Sequence, residues 1–85
     1  MIKNNKQEIS YPTEWTYTII GKDAQAMEKA VNTIIQPGTF SIKKSNSSSK
    51  GTYISLNVKL IVFSHDEQER YFRELGNHEE IKFVL

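Results

Sequence analysis

The chain of 85 residues contains no cysteine, only two prolines, and no apolar run of the length that a transmembrane helix needs. The lack of cysteine excludes disulfides, thiolate nucleophiles and cysteine-ligated zinc sites. A bilayer span requires about 20 mostly apolar residues, and the first residues lack the apolar core of a signal peptide. We therefore expect a cytoplasmic protein that does not associate with membranes.

An excess of either charge is also missing. Eleven Lys and Arg residues against ten Asp and Glu residues give a net charge of +1, which does not favour nucleic acid as an obligatory partner. The charged fraction of 25% and the aromatic fraction of 11% are typical of a folded chain. A chain of this length builds one core. We expect a flexible N-terminal tail over residues 1–10 and a single domain over residues 11–85.

The clearest pattern is an alternation of apolar and polar residues within 50–63, which predicts a central strand with one covered face. Successive side chains of a strand point to opposite faces, so the apolar set faces the core and the polar set faces away from it. The apolar set is Ile54, Leu56, Val58, Leu60 and Val62, and the polar set is Ser55, Asn57 and Lys59.

The residues before this strand predict a strand, a helix and a second strand. Alternation over residues 15–21 predicts the first strand. Asp23 is an N-cap for a helix that ends before residues 37–38, a Pro-Gly pair. Alternation returns at residues 40–43, and the small polar residues within 45–51 predict a flexible hairpin connection.

A second helix and a last strand follow the central strand. Ser64 and Glu67 have the spacing of a capping box at a helix start, and Gly76 is placed to end that helix in left-handed geometry. The alternating apolar residues of 81–85 predict the last strand. The helix has an apolar side of Tyr71, Phe72 and Leu75, and its exposed side pairs Glu69 with Arg73 and Arg70 with Glu74.

The order of elements is strand, helix, strand, strand, helix, strand. With right-handed crossovers, this order predicts an α+β fold of the ferredoxin-like βαββαβ type. Its four-stranded antiparallel sheet has the order 4-1-3-2, and both helices lie on one face. The other face of the sheet is left open.

Three separated blocks of sequence carry a family pattern across residues 11–85. They are Tyr11-Pro12-x-x-Trp15-x-Tyr17-x-x-Ile20-Gly21, Ser45-Asn46-x-Ser48-Ser49-Lys50-Gly51-x-Tyr53-x-Ser55-x-Asn57-Val58 and Ile81-Lys82-x-Val84-Leu85. In order and spacing they resemble the YbeD-like family of small bacterial proteins. The resemblance implies a ferredoxin-like fold similar to the ACT regulatory domain, in a family without an assigned biochemical activity. Thr13 stands where many relatives have cysteine, so a thiol role at that position is absent here.

No residue pattern indicates catalysis, a metal or a cofactor. His65 and His78 have no histidine partner at i, i+4, the spacing that helical metal motifs use. The acidic residues of 66–69 suit the first turn of a helix through the helix dipole alone. The serines of 47–49 have no neighbouring base to activate them. We expect a protein that is not an enzyme, with no catalytic residues, no metal site and no cofactor.

The open sheet face is the main candidate site. Exposed apolar groups gathered in one patch commonly mark an association surface. The alternative is that these groups are scattered, or partly shielded by residues 1–12. We expect a non-catalytic regulatory or protein-interaction module that binds an unknown protein partner or associates with itself, with a dimer as one form. The candidate interaction face is Ile20, Tyr53, Ser55, Asn57, Lys59, Ile61 and Phe63.

The resemblance to ACT domains implies an alternative, a domain that senses a small metabolite. In such domains a small ligand binds at the loop between the first strand and the first helix, and Gly21, Lys22 and Asp23 occupy that loop here. A glycine before a helix N-terminus can offer free amides to an anion. Its plain role as a strand-ending turn is the simpler interpretation.

Nucleic-acid binding is a third and disfavoured alternative. Four-stranded plaits that bind RNA carry aromatic residues on the third strand, where bases stack. Here Thr52 and Ile54 hold those positions, so the stacking platform is lacking. Lys43, Lys44 and Lys50 form a small basic cluster that is typical of a solvated edge.

Overall fold

The computed structural model describes residues 10–45 and 53–85. The tail predicted over residues 1–10 lies outside the described residues except for Ser10, as does the hairpin predicted over 45–51 except for Ser45. The helices and strands are β1 (Thr13–Gly21), α1 (Ala24–Ile34), β2 (Phe40–Lys44), β3 (Ile54–Val62), α2 (His65–Asn77) and β4 (Phe83–Val84).

The four strands form one antiparallel sheet in the order β2-β3-β1-β4. This is the predicted order 4-1-3-2 counted from the opposite edge, so the prediction is confirmed. The longest pairing joins β1 to β3 and runs from Thr13↔Val62 to Gly21↔Ile54 without interruption. β2 lies on the outer side of β3. The α+β ferredoxin-like fold is confirmed.

The core lies on one face of this sheet, as the alternation predicts. Leu56, Val58, Leu60 and Val62 of β3 are buried. The polar residues between them lie on the opposite face. Burying one large aliphatic side chain stabilises the fold by about 1.5–3 kcal/mol. Because β3 buries four of them on one side, this strand determines which face of the sheet the helices cover. The other buried apolar residues are Tyr17, Ile19, Met27, Ala30, Val31, Ile35, Leu75 and Ile81.

Both helices begin at the predicted caps. The Asp23 carboxylate accepts hydrogen bonds from the backbone N–H groups of residues 25 and 26, at 3.0 and 3.2 Å. At α2, the Ser64 hydroxyl oxygen accepts from the Glu67 N–H at 3.1 Å, and the Glu67 carboxylate accepts from the Phe63 N–H at 2.8 Å. Each cap satisfies amides that a helix start otherwise leaves without partners.

The prediction that Gly76 ends α2 in left-handed geometry is wrong. The helix continues through Asn77, and His78 caps it with an extended backbone. Among the described glycines only Gly38 has a positive φ, of 89°. A Cβ at Gly76 would lie 3.3 Å from Cγ1 of Val84, a contact that a small movement of that methyl would relieve.

The last strand is shorter than predicted, and its faces are arranged differently. Lys82 N–H donates to the Ile20 carbonyl oxygen at 2.7 Å, although Phe83 is the residue paired with Ile20. Two consecutive residues therefore face one, which is the arrangement of a β-bulge and shifts the alternation. Ile81 is buried and Val84 half-buried, while Phe83 and Leu85 are exposed.

Replacing Gly21 with Ala tests the close approach between β1 and the segment before β4. An added Cβ would lie 2.6 Å from the Glu80 carbonyl oxygen and 2.8 Å from Sδ of Met27. We expect Gly21→Ala to lower the free energy of unfolding by about 1–3 kcal/mol, as overpacking does, in urea denaturation.

Gly76→Ala is the matched control. Its new Cβ meets only a valine methyl, and alanine favours a helix over glycine by about 1 kcal/mol. This variant should keep or raise the stability of the wild type. Equal losses at the two positions would contradict the assignment of a steric role to Gly21.

Candidate functional site

The sheet face opposite the helices is open in the described part of the chain. Of the predicted interaction face, Ile20, Tyr53, Ser55 and Asn57 are half-buried, and Lys59, Ile61 and Phe63 are exposed. Ile61 exposes 46% of its surface and Phe63 exposes 65%. The structure adds Phe83 of β4, which is 54% exposed and paired with Ile20. Sequence reasoning missed Phe83 because the bulge at β4 reverses its direction.

The apolar groups of this face form two clusters rather than one patch. Ile20 and Phe83 lie side by side at one end, where Ile20 pairs with Ser55 of β3. Ile61 and Phe63 follow at the other end of β3. Ile61 is six residues from Ser55, so about 20 Å of strand separates the two clusters.

The strip between the clusters is polar, and its groups pair with one another. The Thr18 hydroxyl donates to Oδ1 of Asn57 at 2.9 Å across the β1–β3 pair. Lys59 Nζ lies 3.8 Å from Oε2 of Glu14. An exposed ion pair of this kind contributes less than about 1 kcal/mol to stability. The strip is therefore a wettable surface between two apolar ends.

The predicted ligand loop forms one wall of a shallow pocket of about 370 Å³. Gly21 and Lys22 lie there opposite residues 78–82, and Lys22 Nζ is 6.0 Å from the centre of the Tyr53 ring. Asp23 does not line the pocket. Its carboxylate already occupies the amides at the start of α1, so those amides are not free for an anion as the sequence suggested.

One edge of β1 lies open beyond the short β4. Thr18 exchanges both backbone hydrogen bonds with Leu85, so its N–H and C=O point toward β4. Strand groups alternate between edges, so the same groups of Thr16 and Glu14 point to this edge too. Within residues 10–45 and 53–85, no hydrogen bond is made to these groups.

A groove of about 580 Å³ lies between this edge and α2; we call it the edge groove. Phe72, which was expected in the core, lines it and is 48% exposed. β4 pairs with Ile19 and Ile20, whereas Trp15 and Tyr17 of β1 line the groove. It is lined by Trp15, Tyr17, His65, Gln68, Glu69, Phe72, Arg73, Gly76, Asn77 and Leu85.

Ion pairs along α2 differ from the predicted pattern. Arg70 pairs with Glu74 at 3.9 Å as expected. Glu69 instead lies 3.5 Å from Nε2 of His65. Arg73, which was expected to pair with Glu69, has no carboxylate within 4.0 Å in the described ranges and lines the edge groove.

Two tyrosines have raised pKa values, and both have structural causes. Burial raises the pKa of Tyr17 to about 12, and its hydroxyl donates to the Gln68 carbonyl oxygen of α2. Burial, and then the nearby Glu67 carboxylate, raise the pKa of Tyr71. The hydroxyl of Tyr17 thus ties the middle of β1 to the helix beside the edge groove.

The two histidines lie apart from each other. His65 begins α2, and Nδ1 of His78 accepts from the Glu80 N–H at 3.1 Å. Among the residues that the structure describes, no three His, Cys, Asp or Glu side chains cluster as metal ligands would. Neither described helix is both long and apolar enough to cross a membrane.

Comparison of the sequence with models of protein families identifies the family of this chain. The model of DUF493, described as a protein of unknown function, matches residues 6–85. The chain belongs to this family. The YbeD-like resemblance read from the sequence is thereby confirmed, and the family carries no assigned activity.

Two relatives in the family are similar over all or most of their length. A UPF0250 protein of Erwinia tasmaniensis is 31% identical over 88 residues, covering 100% of both chains. A UPF0250 protein of Shewanella amazonensis is 30% identical and covers 93% of this chain and 92% of its own.

Solved structures support the same fold. One solution structure of protein HP0495 from Helicobacter pylori has a TM-score of 0.78 at 23% identity, with 94% of this chain and 88% of that chain covered. A second solution structure of HP0495 has a TM-score of 0.66 at 25% identity, with 98% and 96% covered.

Tyr17→Phe tests the buried hydroxyl that links β1 to α2. At neutral pH the variant should lose about 1 kcal/mol of stability, the usual contribution of one hydrogen bond. In the wild type, folding raises the tyrosine pKa from 10 to about 12, so this stabilisation is complete below pH 10 and is lost as the pH rises to 12. Phenylalanine cannot ionise.

The difference in unfolding free energy between wild type and Tyr17→Phe should therefore shrink between pH 10 and 12. Urea denaturation at pH 8 and at pH 11 measures it. A difference that stays constant across this range would show that the folded environment does not favour the neutral hydroxyl.

Proposed function

We propose that this protein is a non-catalytic regulatory module of the cytoplasm that binds another protein through its open sheet face. The observation that carries the proposal is the exposure of Ile61, Phe63 and Phe83 on a face that the described helices leave uncovered. Exposed apolar groups gathered in a patch typically mark an association site, and here they form two clusters at opposite ends of the face.

The chemistry of the described residues supports a binding role. Functional sites of enzymes usually hold titratable groups whose pKa values are shifted toward the working pH. The pKa values of Tyr17 and Tyr71 are both raised, which moves them further from neutrality. Apart from the hydroxyl of Tyr17, the buried core of the described residues is apolar.

The size of the face favours a transient contact. Nine residues of strand and four strands span about 30 Å by 15 Å, or roughly 450 Å². A stable protein–protein interface buries about 800 Å² on each partner. We therefore expect a dissociation constant in the micromolar range. A complex of this affinity dissociates while an affinity resin is washed, so chemical crosslinking captures it better.

Charge substitution at Ile61 tests this proposal. We expect Ile61→Glu to abolish capture of a specific partner, or of a second copy, in crosslinked cytosol, because a carboxylate replaces an apolar contact. Thr33→Glu places the same charge on the exposed surface of α1 and is the control. Unchanged melting temperatures would show that both variants fold.

The proposal fails if the two variants capture the same proteins in the same amounts. It also fails if the wild type stays strictly monomeric and crosslinks to nothing. In either case the open face would be an ordinary solvated surface, whose exposed apolar side chains have no partner.

A second candidate function is the sensing of a small metabolite in the pocket beside Gly21. It is supported by Lys22, Lys82 and Tyr53, which line one depression where two cations and a ring could hold a carboxylate. Glu79 and Glu80 line the same depression. ACT-like sensors use the same loop, as the family resemblance implies.

A thermal-shift screen of amino acids and small carboxylates tests this second candidate. A ligand should raise the melting temperature of the wild type, and Lys22→Ala or Lys82→Ala should reduce the shift. Lys29→Ala, on α1 and away from the pocket, should leave it unchanged. Asp23→Ala is not suitable, since losing the N-cap costs about 0.5–2 kcal/mol by itself. A flat screen would remove this candidate.

A further inference from the structure

In the described part of the chain, the edge of β1 beyond Thr18 has an unmet capacity for hydrogen bonding. Glu14 and Thr16 each direct one N–H donor and one C=O acceptor toward the side where β4 has ended. An exposed strand edge of this kind is a template on which another strand can form. The groups continue the hydrogen-bonded line that Thr18 already makes with Leu85.

The edge groove lies where the side chains of an added strand would point. A strand beside Glu14–Thr16 would alternate its side chains between the open face and the face that carries Trp15 and Tyr17. The inward side chains would enter the edge groove next to Phe72, whose ring is 48% exposed. Backbone pairing and a side-chain pocket therefore coincide at one place, as they do in proteins that bind peptides by strand addition.

The charged side chains that line the edge groove indicate which kind of segment would bind there. Glu69, which also lines the groove, lies 3.5 Å from Nε2 of His65, whereas Arg73 has no carboxylate within 4.0 Å among the described residues. An acidic side chain in an inward position would give Arg73 a partner, and charge-assisted bonds to a guanidinium are among the strong ones.

A second copy of the chain fits this requirement poorly. If it offered its own β1 edge, its inward residues would be Thr13, Trp15 and Tyr17, and none of these carries a carboxylate. The chemistry of the groove favours a different segment, apolar and acidic at alternate positions.

We infer that β1 and the edge groove bind an extended segment of a partner protein as a fifth strand of the sheet, with an apolar side chain beside Phe72 and an acidic side chain on Arg73. This surface is separate from the open sheet face of the proposed function. Variants at Ile61 and at Arg73 therefore distinguish failure of one from failure of the other.

The test uses a fluorescent octapeptide in which threonine alternates with two valines and two glutamates, so that inward positions are apolar or acidic. We expect it to bind the full chain in fluorescence anisotropy. Arg73→Glu should weaken binding about tenfold or more. Arg70→Glu, on the same helix but outside the groove lining, is the matched control and should leave the affinity unchanged.

Amide hydrogen exchange of the same full chain locates the contact. Without peptide, the N–H groups of Glu14 and Thr16 should exchange quickly, while those of Trp15 and Tyr17, which face β3, should be protected. Bound peptide should protect Glu14 and Thr16. A peptide N-methylated at alternate residues, which lacks the donors that face the edge, should not bind.

Three results would overturn the inference. The first is no binding of the octapeptide at millimolar concentration. The second is binding that Arg73→Glu and Arg70→Glu affect equally. The third is protection of the Glu14 and Thr16 amides in the protein without peptide, since that would mean that the edge is already occupied.

Discussion

The register between β1 and β3 decides which surfaces this protein buries and which it exposes. Because the side-chain period of a strand is two, a slip of one residue would turn every side chain of β3 to the other face. The uninterrupted pairing from Thr13↔Val62 to Gly21↔Ile54 holds Leu56 and Val58 on the side of the helices. The open sheet face is a consequence of this register, since its polar and apolar positions alternate with those of the core.

The short β4 and its contacts with β1 shape two further surfaces, the cluster of Ile20 and Phe83 and the edge groove. Gly21 lets the segment before β4 approach β1 closely, and the bulge at Lys82 and Phe83 then turns Phe83 outward. The same short strand leaves the edge of β1 beyond Thr18 without a neighbour in the described chain. The position of β4 thus accounts for both the apolar cluster of Ile20 and Phe83 on the open face and the edge groove beside α2.

Much of the fold could be predicted from the sequence because local signals agree with the tertiary structure. Alternation in residues 54–62 gives both a strand and its buried face, and the caps at Asp23 and Ser64 mark both helix starts. These signals depend on near neighbours in the chain, and the sequence displays them directly. The strand order followed from the element order and the usual handedness of connections.

The site was less predictable because it depends on contacts between distant residues. The bulge at Lys82 depends on a backbone hydrogen bond to Ile20, which is more than sixty residues away in the sequence. The residues next to Phe83 therefore contain no signal that its side chain points outward. Phe72 fits an apolar helix stripe, which predicts a core position, but it lines the edge groove and is 48% exposed.

Nuclear Overhauser effects between Hα protons across β1 and β3 test the central claim most directly. In an antiparallel sheet the closest Hα pairs are those without mutual hydrogen bonds, and the register predicts strong effects for Thr16 with Lys59 and for Thr18 with Asn57. Methyl groups of α1 should contact Val58 and show no contact with Asn57. Hα contacts shifted by one residue, or helix methyls against Asn57, would contradict the account.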